Sequence, residues 1–223
     1  MSYRLAIIIP AFDASDTLAE LLRELRACVP SEATIVIDDG SQDGTAEMAA
    51  SAGAVVIRHA RNQGKGAALR TGFRYVLERS SFDAVVTMDA DLQHSVGDLP
   101  AFIRARDRFG ANIVLGSRRI AGTGMPLDRR ISNIVTSFLV SIRAGVPIKD
   151  SQCGYRLIGT EVLRTFETEA NGFEAETEFL IRAARSNFHI VSIPVQTIYR
   201  NSGSHMTKWK TTKQFVRTLM REF

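Results

Sequence analysis

Residues 85–94 read Val-Val-Thr-Met-Asp-Ala-Asp-Leu-Gln-His, an apolar run that stops at two carboxylates, Asp89 and Asp91. In an extended segment, side chains two positions apart point to the same face, so these two can converge on one hard cation. A buried strand that ends in such a pair is a candidate Mg²⁺ or Mn²⁺ site. On the pair alone, a solvated turn after a core strand is an equally good interpretation, and the rest of the chain has to decide.

Apolar runs typical of strands recur along the first half of the chain, and helix-like stretches separate them. The predicted strands are Leu5–Ile9, Ala33–Ile37, Ala54–Ile57, Ala84–Met88 and Asn112–Leu115. The predicted helices are about Ser15–Cys28, Thr45–Ala52, Lys65–Glu78 and Val96–Arg108. This alternation is typical of an α/β fold with a mostly parallel central sheet flanked by helices. Beyond Gly116 we predict a helix over Asp128–Ala144 and two short runs within Phe188–Tyr199.

Polar loops follow four of the predicted strands, and parallel sheets bind ligands at the carboxyl ends of their strands. The loops are residues 10–13, 38–41, 61–66 and 89–94. We therefore expect them to line one cleft. Within them, Asp39 can accept a base N–H or a ribose hydroxyl, and Gly64-Lys65-Gly66 can lie against phosphate although the spacing is not that of a P-loop. A turn capped by Asp43 and a capped helix start are the simpler interpretations of these two loops.

The composition is that of one globular domain with a tail, since the chain has 223 residues, of which 45% are apolar and 23% charged. Cys28 and Cys153 match no metal-ligand spacing, so we expect reduced thiols in a cytoplasmic protein. The N-terminus lacks the features of a signal peptide. Polar residues interrupt the apolar region Ile131–Ile148, which makes it poor material for a membrane span. No nucleic-acid partner is expected.

The net charge of +4 comes from the C-terminal tail, where Lys208–Phe223 holds five basic residues against Glu222. Apolar residues are interleaved with these charges at roughly the spacing of one helical face. We therefore predict a basic amphipathic helix over residues 206–223. Either this helix anchors the protein on anionic lipid, or its apolar stripe packs against the body of the protein or a second chain, which is the simpler interpretation.

Four motifs, taken together and in order, resemble those of the family 2 glycosyltransferases with the GT-A fold. They are Pro10-Ala11-Phe12-Asp13, Asp38-Asp39-Gly40-Ser41-Gln42-Asp43-Gly44-Thr45, Asn62-Gln63-Gly64-Lys65-Gly66 and Asp89-Ala90-Asp91-Leu92-Gln93-His94. Two later motifs are similar to the branch of dolichyl-phosphate mannose synthases and polyprenyl-phosphate glycosyltransferases: Gly116-Ser117-Arg118 and Asp150-Ser151-Gln152-Cys153-Gly154-Tyr155-Arg156. The resemblance implies a single GT-A domain over residues 1–205 and a nucleoside-diphosphate sugar, linked to GDP or UDP, as the donor.

The resemblance also assigns residues to the donor site. Those implied for the nucleotide sugar are Pro10, Ala11, Phe12, Ile37, Asp39, Lys65, Asp89, Ala90, Gln93 and Arg200. Asp89, Asp91 and Gln93 would hold Mg²⁺ or Mn²⁺ against the donor diphosphate. This agrees with the interpretation of the aspartate pair from its spacing, because a divalent cation neutralises charge that builds on a leaving nucleoside diphosphate.

For the acceptor, the resemblance assigns Arg118 and Arg130 to a phosphate, which a guanidinium fork suits; solvated surface charge is the alternative for each. Glu176 matches an acidic position that serves as general base in members acting on hydroxyl acceptors, whereas an ionised phosphate acceptor needs no base. We predict Glu176, Arg118 and Asp91 as the catalytic residues. Lesser candidates for the base are Glu174 and Asp150.

The sequence departs from the pattern of this branch in three places. Asp13-Ala14 replaces a common Asn-Glu pair, which removes one acidic contact to the nucleotide. Gly203-Ser204-His205 has histidine near the position of a lysine, which leaves the second diphosphate cation open. Many members with polyprenyl acceptors continue into transmembrane helices, whereas this sequence ends at Phe223. Either the tail then lies on the bilayer, or a partner supplies the anchor, or the acceptor is not a lipid.

The leading hypothesis is an inverting, metal-dependent glycosyltransferase that moves a sugar to a polyprenyl phosphate, in the cytoplasm and peripherally at the membrane face. A second copy or a membrane partner would bind through the C-terminal helix. A family 2 enzyme with a glycan or other hydroxyl acceptor is the alternative. Remoter alternatives are a haloacid-dehalogenase-type phosphatase, with Asp89 as nucleophile and Asp91 as acid, and a non-catalytic nucleotide-binding subunit.

Overall fold

The computed structural model describes residues 4–118, 127–198 and 208–221, and for residues 127–129 and 208–213 it describes the helical backbone alone. The described chain forms a seven-stranded sheet with helices on both faces. The strands are β1 Leu5–Ala11, β2 Thr34–Asp38, β3 Val55–Arg58, β4 Ala84–Thr87, β5 Ile113–Arg118, β6 Arg156–Gly159 and β7 Ile190–Val195. The helices are α1 Ser15–Arg26, α2 Thr45–Ser51, α3 Lys65–Arg79, α4 Leu99–Phe109, α5 Leu127–Ala144, α6 Thr160–Leu163, α7 Glu174–Arg185 and α8 Lys208–Leu219.

The strand order in the sheet is β3-β2-β1-β4-β6-β5-β7. Strand β6 runs antiparallel between β4 and β5, and the other neighbouring strands pair in parallel. The predicted mostly parallel α/β sheet is therefore confirmed. All five predicted strands and all six predicted helices, the C-terminal one included, form, with ends that differ by a few residues. A short 3₁₀ turn over Val96–Asp98 precedes α4 within the helix predicted there.

Two strands differ from the prediction. Strand β6 is missing from it because this strand has only four residues and begins with a charged one, Arg156. The side chain of Arg156 is buried, and it donates hydrogen bonds to three backbone carbonyls, which satisfies its donors inside the fold. The two short runs predicted near Pro194 are wrong, since β7 is one strand. Pro194 is tolerated there because β7 is at the edge of the sheet.

The central strands bury both of their faces. In β1, Ile7 and Ile9 pack into a core with α1 and α4, whereas Ile8 packs into a second core with α3, α5 and α7. All three side chains are fully buried. Alternation of side chains between two covered faces explains why the central strands are continuously apolar. It leaves the carboxyl ends of the parallel strands as the place for polar residues.

Helices α3 and α7 meet near Gly66, which lies in the first turn of α3. The amides of Gly66 and Ala67 both donate to the carbonyl of Asn171, at 2.7 Å and 3.2 Å. A Cβ at Gly66 would come within 2.5 Å of Ala175 Cβ and 2.6 Å of the Ala170 carbonyl oxygen. The absence of a side chain therefore lets the start of α7 approach Lys65 at the start of α3.

The C-terminal helix α8 contacts α5 and α7. Phe215 and Leu219 pack against the second core. Arg143 of α5 donates to the carbonyl of Leu219 at 2.9 Å, and Arg221 pairs with Glu169 at 3.2 Å. In its described part, α8 therefore packs on the body of the protein, as in the simpler of the two interpretations. Along the described residues, we find no helix with the length and apolarity needed to cross a bilayer.

The close approach at Gly66 predicts a loss of stability on substitution. Gly66→Ala should lower the free energy of unfolding by about 1–3 kcal/mol, because overpacking against backbone outweighs the better helix propensity of alanine. Chemical denaturation measures this change. Gly97→Ala is the matched control, since its Cβ would meet only Ser95 Oγ at 3.4 Å, and it should change stability by less than about 0.5 kcal/mol. Equal losses in both variants would contradict the packing argument.

Candidate active site

The aspartate pair lies immediately beyond the carboxyl end of β4, the middle strand of the seven, where the parallel strands meet the antiparallel β6. Both side chains are half-buried, and the amide of Gln93 donates to Asp91 Oδ1 at 3.0 Å. Leu92 between them has a positive φ of 61°. The loop therefore turns sharply after the strand, and a shared metal shell of Asp89, Asp91 and Gln93 stays a prediction.

Lys65 connects this loop to two helices. Its ammonium nitrogen lies 2.6 Å from Asp89 Oδ1 and 3.0 Å from Glu176 Oε2. Arg156 approaches the other Glu176 oxygen at 3.5 Å, and its guanidinium also donates to the Glu176 carbonyl at 3.1 Å. The predicted residues Lys65, Asp89 and Glu176 are thus in direct contact, although they come from α3, the β4 loop and α7.

These contacts shift the pKa values of the two aspartates in opposite directions. Burial raises the pKa of Asp89, but the charge and hydrogen bond of Lys65, together with the nearby His94 and Arg156, outweigh burial and lower the pKa to about 2. Burial lowers the pKa of Lys65, but Asp89 and Glu176 together outweigh it and raise the pKa above its ordinary value. Burial and then the charge of Asp89 raise the pKa of Asp91. Asp91 is therefore the carboxylate of the pair whose ionised form an added cation would stabilise most.

The aspartate pair suits a hard cation that takes its remaining ligands from a substrate. Within residues 4–118, 127–198 and 208–221, no three His, Cys, Asp or Glu side chains form a group able to hold a metal ion. Mg²⁺ typically binds one or two carboxylates together with substrate phosphates. Asp89 and Asp91 offer that donor set, and the raised pKa of Asp91 marks the negative charge that such an ion would neutralise.

His94 anchors the loop behind Asp89. The Asp89 amide donates to His94 Nδ1 at 3.3 Å, which puts the ring proton on Nε2, 3.9 Å from Cys153 Sγ. The ring stacks on Tyr155 with centroids 5.0 Å apart. Burial lowers the pKa of His94 in spite of the nearby Asp89 and Asp91. A neutral His94 therefore supports the loop, and Cys153, a free thiol whose pKa burial raises to about 12, stays protonated beside it.

Gly154 lies against the opposite side of Asp89. A Cβ at this position would come within 2.6 Å of Asp89 Oδ2 and 2.8 Å of Oδ1. The hydroxyl of Thr87 donates to the Gly154 carbonyl at 2.7 Å, which ties this residue to the end of β4. Only glycine therefore leaves room for the Asp89 carboxylate in the position where it meets Lys65.

Asp39 holds the loop that precedes α3. Its carboxylate accepts hydrogen bonds from the amides of Gln63 (3.0 Å) and Gly64 (2.7 Å) and from His59 Nδ1 (2.6 Å). His59 Nε2 lies 2.9 Å from Thr71 Oγ1. Asp39 is buried, so its most direct effect is to fix the backbone next to Lys65. A contact from Asp39 to a nucleotide stays a prediction.

The loop after β1 is joined to the loop after β2. The Asp13 amide donates to Ser41 Oγ at 2.9 Å, and the Gln42 amide donates to Asp13 Oδ1 at 3.0 Å. Asp43 accepts hydrogen bonds from the hydroxyl of Thr45 and from the amides of Ser15 and Thr45. Burial raises its pKa, but these bonds together outweigh burial and lower the pKa to about 2. Asp13 therefore joins the loop after β1 to the loop after β2 through two hydrogen bonds.

The remaining predicted nucleotide residues differ in accessibility. Pro10 is half-buried and Phe12 exposed at the end of β1, whereas the side chains of Ala11, Ile37 and Ala90 are buried in the core. Any nucleotide contact of these three would come from their backbone. Arg200, and with it Gly203-Ser204-His205, lies outside the described residues.

Arg118 ends β5 and is paired with a buried carboxylate. Its Nε and Nη2 donate to Asp150 Oδ2 and Oδ1 at 2.8 Å and 3.0 Å, and its amide donates to Oδ2 at 3.1 Å. Burial raises the pKa of Asp150, but the bonds from Arg118 outweigh it and the net shift is downward. Asp150, the lesser candidate for a base, is thus the partner of Arg118. Arg130 lies on α5 and is exposed, and phosphate binding by either arginine stays a prediction.

Four residues to which the structure gives a role here were not among the predicted site residues. They are His59, His94, Gly154 and Arg156, and His94 is the last residue of the quoted 89–94 motif. His59 directly follows β3, so its polar character at a strand end was the available signal. Gly154 and Arg156 belong to the quoted 150–156 motif, but only the structure reveals that this segment enters the sheet beside Asp89.

Comparisons with known proteins agree with this geometry. The family model described as glycosyl transferase family 2 matches residues 6–167. An undecaprenyl-phosphate mannosyltransferase of Micrococcus luteus is 32% identical over 90% of this chain and 86% of its own. A dolichol-phosphate mannosyltransferase of Pyrococcus furiosus is 29% identical over 98% of this chain and 63% of its own.

A solved structure has the same fold. Glucosyl-3-phosphoglycerate synthase of Mycobacterium tuberculosis, in complex with Mn²⁺, UDP and phosphoglyceric acid, superposes with a TM-score of 0.76 at 20% identity, over 98% of this chain and 78% of its own. This confirms the predicted GT-A fold, and the family match gives no support to the phosphatase alternative. The chain belongs to glycosyl transferase family 2, and it is a glycosyltransferase.

Proposed function

We propose that this glycosyltransferase works with inversion, uses a divalent cation, and moves a sugar from a GDP- or UDP-linked donor to a polyprenyl phosphate at a membrane surface. The names of the Micrococcus and Pyrococcus relatives support the lipid-phosphate acceptor. The Mycobacterium structure, which holds Mn²⁺ and UDP, supports the donor and the cation. Mg²⁺ satisfies the same oxygen ligands and is the other candidate.

The aspartate pair gives the proposal its strongest support. Lys65 neutralises Asp89 at 2.6 Å, whereas Asp91 retains a raised pKa beside it. Asp91, with Asp89 and Gln93, would hold the divalent cation, which neutralises charge on the departing nucleoside diphosphate. Lys65 stands next to the same position and would add a second positive charge against the diphosphate oxygens.

The surroundings of Glu176 favour a phosphate as the acceptor. One oxygen of Glu176 contacts Lys65 and the other approaches Arg156, so neither is turned toward an incoming hydroxyl. A general base has to reach the proton that it removes. A phosphate oxygen that is already ionised has no proton to lose, and Glu176 then acts by positioning Lys65.

The reaction under this proposal is a single displacement. A bond forms between an acceptor phosphate oxygen and the anomeric carbon as the bond from that carbon to the donor diphosphate breaks. The nucleoside diphosphate leaves on the opposite face, so the configuration inverts. With a hydroxyl acceptor, one proton would also have to pass to a base.

A hydroxyl acceptor is the second candidate function. The Mycobacterium structure binds phosphoglyceric acid, which is not a lipid, and Glu176 is a second acid, beside Asp89, in contact with Lys65. The outcome of changing Glu176 separates the two candidates, as set out below.

Removing the charge of Asp91 should abolish donor turnover. We expect Asp91→Asn to lower the rate of sugar transfer by about 10²-fold or more, since charge neutralisation by a bound cation stabilises the transition state by several kcal/mol. The rate is measured with Mn²⁺ or Mg²⁺ and again after chelation. Asp107→Asn, an exposed carboxylate on α4, is the control and should keep the wild-type rate. Full transfer by the wild type without any divalent ion would overturn the cation requirement.

Glu176→Gln tests the nature of the acceptor. With a prenyl phosphate we expect kcat to fall less than about 10-fold and the shape of the pH–rate profile to stay the same, because no base acts on this acceptor. If Glu176 were the base for a hydroxyl acceptor, the loss would be about 10²-fold to 10⁴-fold. A loss of that size with a prenyl phosphate would contradict the assigned role.

Lys65→Met removes the cation between two carboxylates. We expect a loss of about 1–3 kcal/mol in unfolding free energy, less than for a fully buried pair, because the Asp89 side chain is 29% exposed. Mn²⁺ should restore part of this stability in the variant, since it replaces the missing positive charge. Thermal unfolding with and without Mn²⁺ measures both effects. Lys149→Met, at an exposed position, is the control; the same loss there would refute the assignment.

A further inference from the structure

Helix α5 buries its polar side and exposes its apolar side. The buried residues include Asn133, Ser137 and Val140. Six large apolar side chains are between 39% and 64% exposed, and we call them the α5 stripe: Ile131, Ile134, Val135, Phe138, Leu139 and Ile142. Their spacing of three and four residues puts them on one helical face. Contiguous exposed apolar surface of this kind marks an interaction site.

Hydrogen bonds fix α5 in this orientation. The Ser151 amide donates to Ser137 Oγ at 2.9 Å, and the Ile148 amide donates to Ser141 Oγ at 2.9 Å. Rotating the helix to bury the α5 stripe would break these bonds and expose Val140. The packing of α5 therefore requires its apolar face to be exposed. The neighbouring Asp150 pairs with Arg118, which is predicted to bind the acceptor phosphate.

Helix α8 extends the exposed apolar surface. Val216 is 52% exposed and Met220 is 80% exposed, and Arg143 joins the end of α8 to α5. The side chains described at positions 130–144 and 214–221, which cover α5, the end of α8 and the two residues after it, include four arginines and no carboxylate. They are Arg130, Arg143, Arg217 and Arg221, of which Arg221 pairs with the neighbouring Glu169 at 3.2 Å. The surface thus combines a wide apolar strip with positive charge at its margins.

We propose that the α5 stripe, together with Val216 and Met220, lies on an anionic lipid bilayer. A helix with one apolar face and basic margins binds in the plane of the interface, and the arginines complement anionic head groups. A second copy of the chain is a poorer occupant. Twofold contacts would bring the same positively charged margins together.

With the α5 stripe on a bilayer, the acceptor end of the cleft would lie close to the membrane surface, where a lipid substrate is located. The 150–151 segment that holds α5 also holds Arg118, so a bilayer under α5 brings phosphates at its surface to the acceptor end of the site. This last step rests on the proposed polyprenyl phosphate acceptor. Binding of α5 to the bilayer does not, because it depends on the apolar stripe and the charges alone.

Vesicle co-sedimentation of the full chain tests the inference. Vesicles of phosphatidylcholine with about one-third phosphatidylglycerol should bind the wild-type protein, and binding should weaken in pure phosphatidylcholine and in high salt. Phe138→Ser combined with Ile142→Ser should lower the vesicle partition coefficient by about 10-fold or more, because two large side chains no longer insert. Both positions are exposed, so the variant should keep the wild-type unfolding midpoint.

Phe109→Ser is the matched control, since Phe109 is 49% exposed on α4. It should bind vesicles like the wild type. Equal loss in the control, or no vesicle binding by the wild type at any lipid composition, would overturn the inference. So would a concentration-dependent dimer in sedimentation that the double variant abolishes.

A second assay separates this inference from the proposed function. A short-chain, water-soluble prenyl phosphate reaches the cleft without a bilayer, so the double variant should use it at the wild-type rate. If the wild type binds vesicles but transfers no sugar to any prenyl phosphate, the bilayer surface stands and the acceptor assignment fails. If transfer to the soluble acceptor occurs while vesicles do not bind, the acceptor stands and the bilayer surface fails.

Discussion

The contact of Lys65 with Asp89 and Glu176 is the interaction on which the rest of the site depends. Each partner comes from a different element: the start of α3, the loop after β4 and the first turn of α7. A lysine between two carboxylates in a half-buried position is stable only when all three are in place, because any one of them alone is a poorly solvated charge. The glycines at 66 and 154 remove the side chains that would keep these partners apart. The site is therefore a product of close backbone packing as much as of its charged residues.

Much of the fold was readable from local patterns. The apolar runs of β1, β2 and β4 and the polar loops after them predicted both the parallel sheet and the edge of the sheet where Asp89 and Asp91 lie. Periodicity works there because these strands are buried on both faces and their connecting helices are regular. It failed at β6, where four residues beginning with Arg156 enter the sheet between two strands that lie far away in sequence. No local rule predicts that pairing.

The sequence predicted which residues belong to the site more completely than it predicted the contacts between them. Motif positions identified Lys65, Asp89 and Glu176, but nothing in the sequence indicated that they touch, since their separations along the chain carry no geometric information. Asp39 and Arg118 were expected to face ligands, which stays a prediction, and the structure adds a protein partner for each of them, His59 and Asp150. The tail was predicted to be the charged, amphipathic element, yet among the described residues half of the twelve exposed large apolar side chains are on α5. A periodic pattern predicts an apolar face but not whether neighbouring elements cover it.

The antiparallel insertion of β6 has a consequence for how the chain acquires its structure during synthesis. Strands β1 to β4 can pair as soon as they leave the ribosome, because β2, β3 and β4 each pair with a strand that precedes them. One edge of β4 then stays unpaired until residues 156–159 emerge, and Gly154 reaches Asp89 only at that moment. Such long-range pairing is slow and leaves an open edge exposed to other chains. The support of the Asp89 loop by Gly154 and the insertion of β6 between β4 and β5 are thus one late event, so a nascent chain that lacks β6 also lacks a finished site.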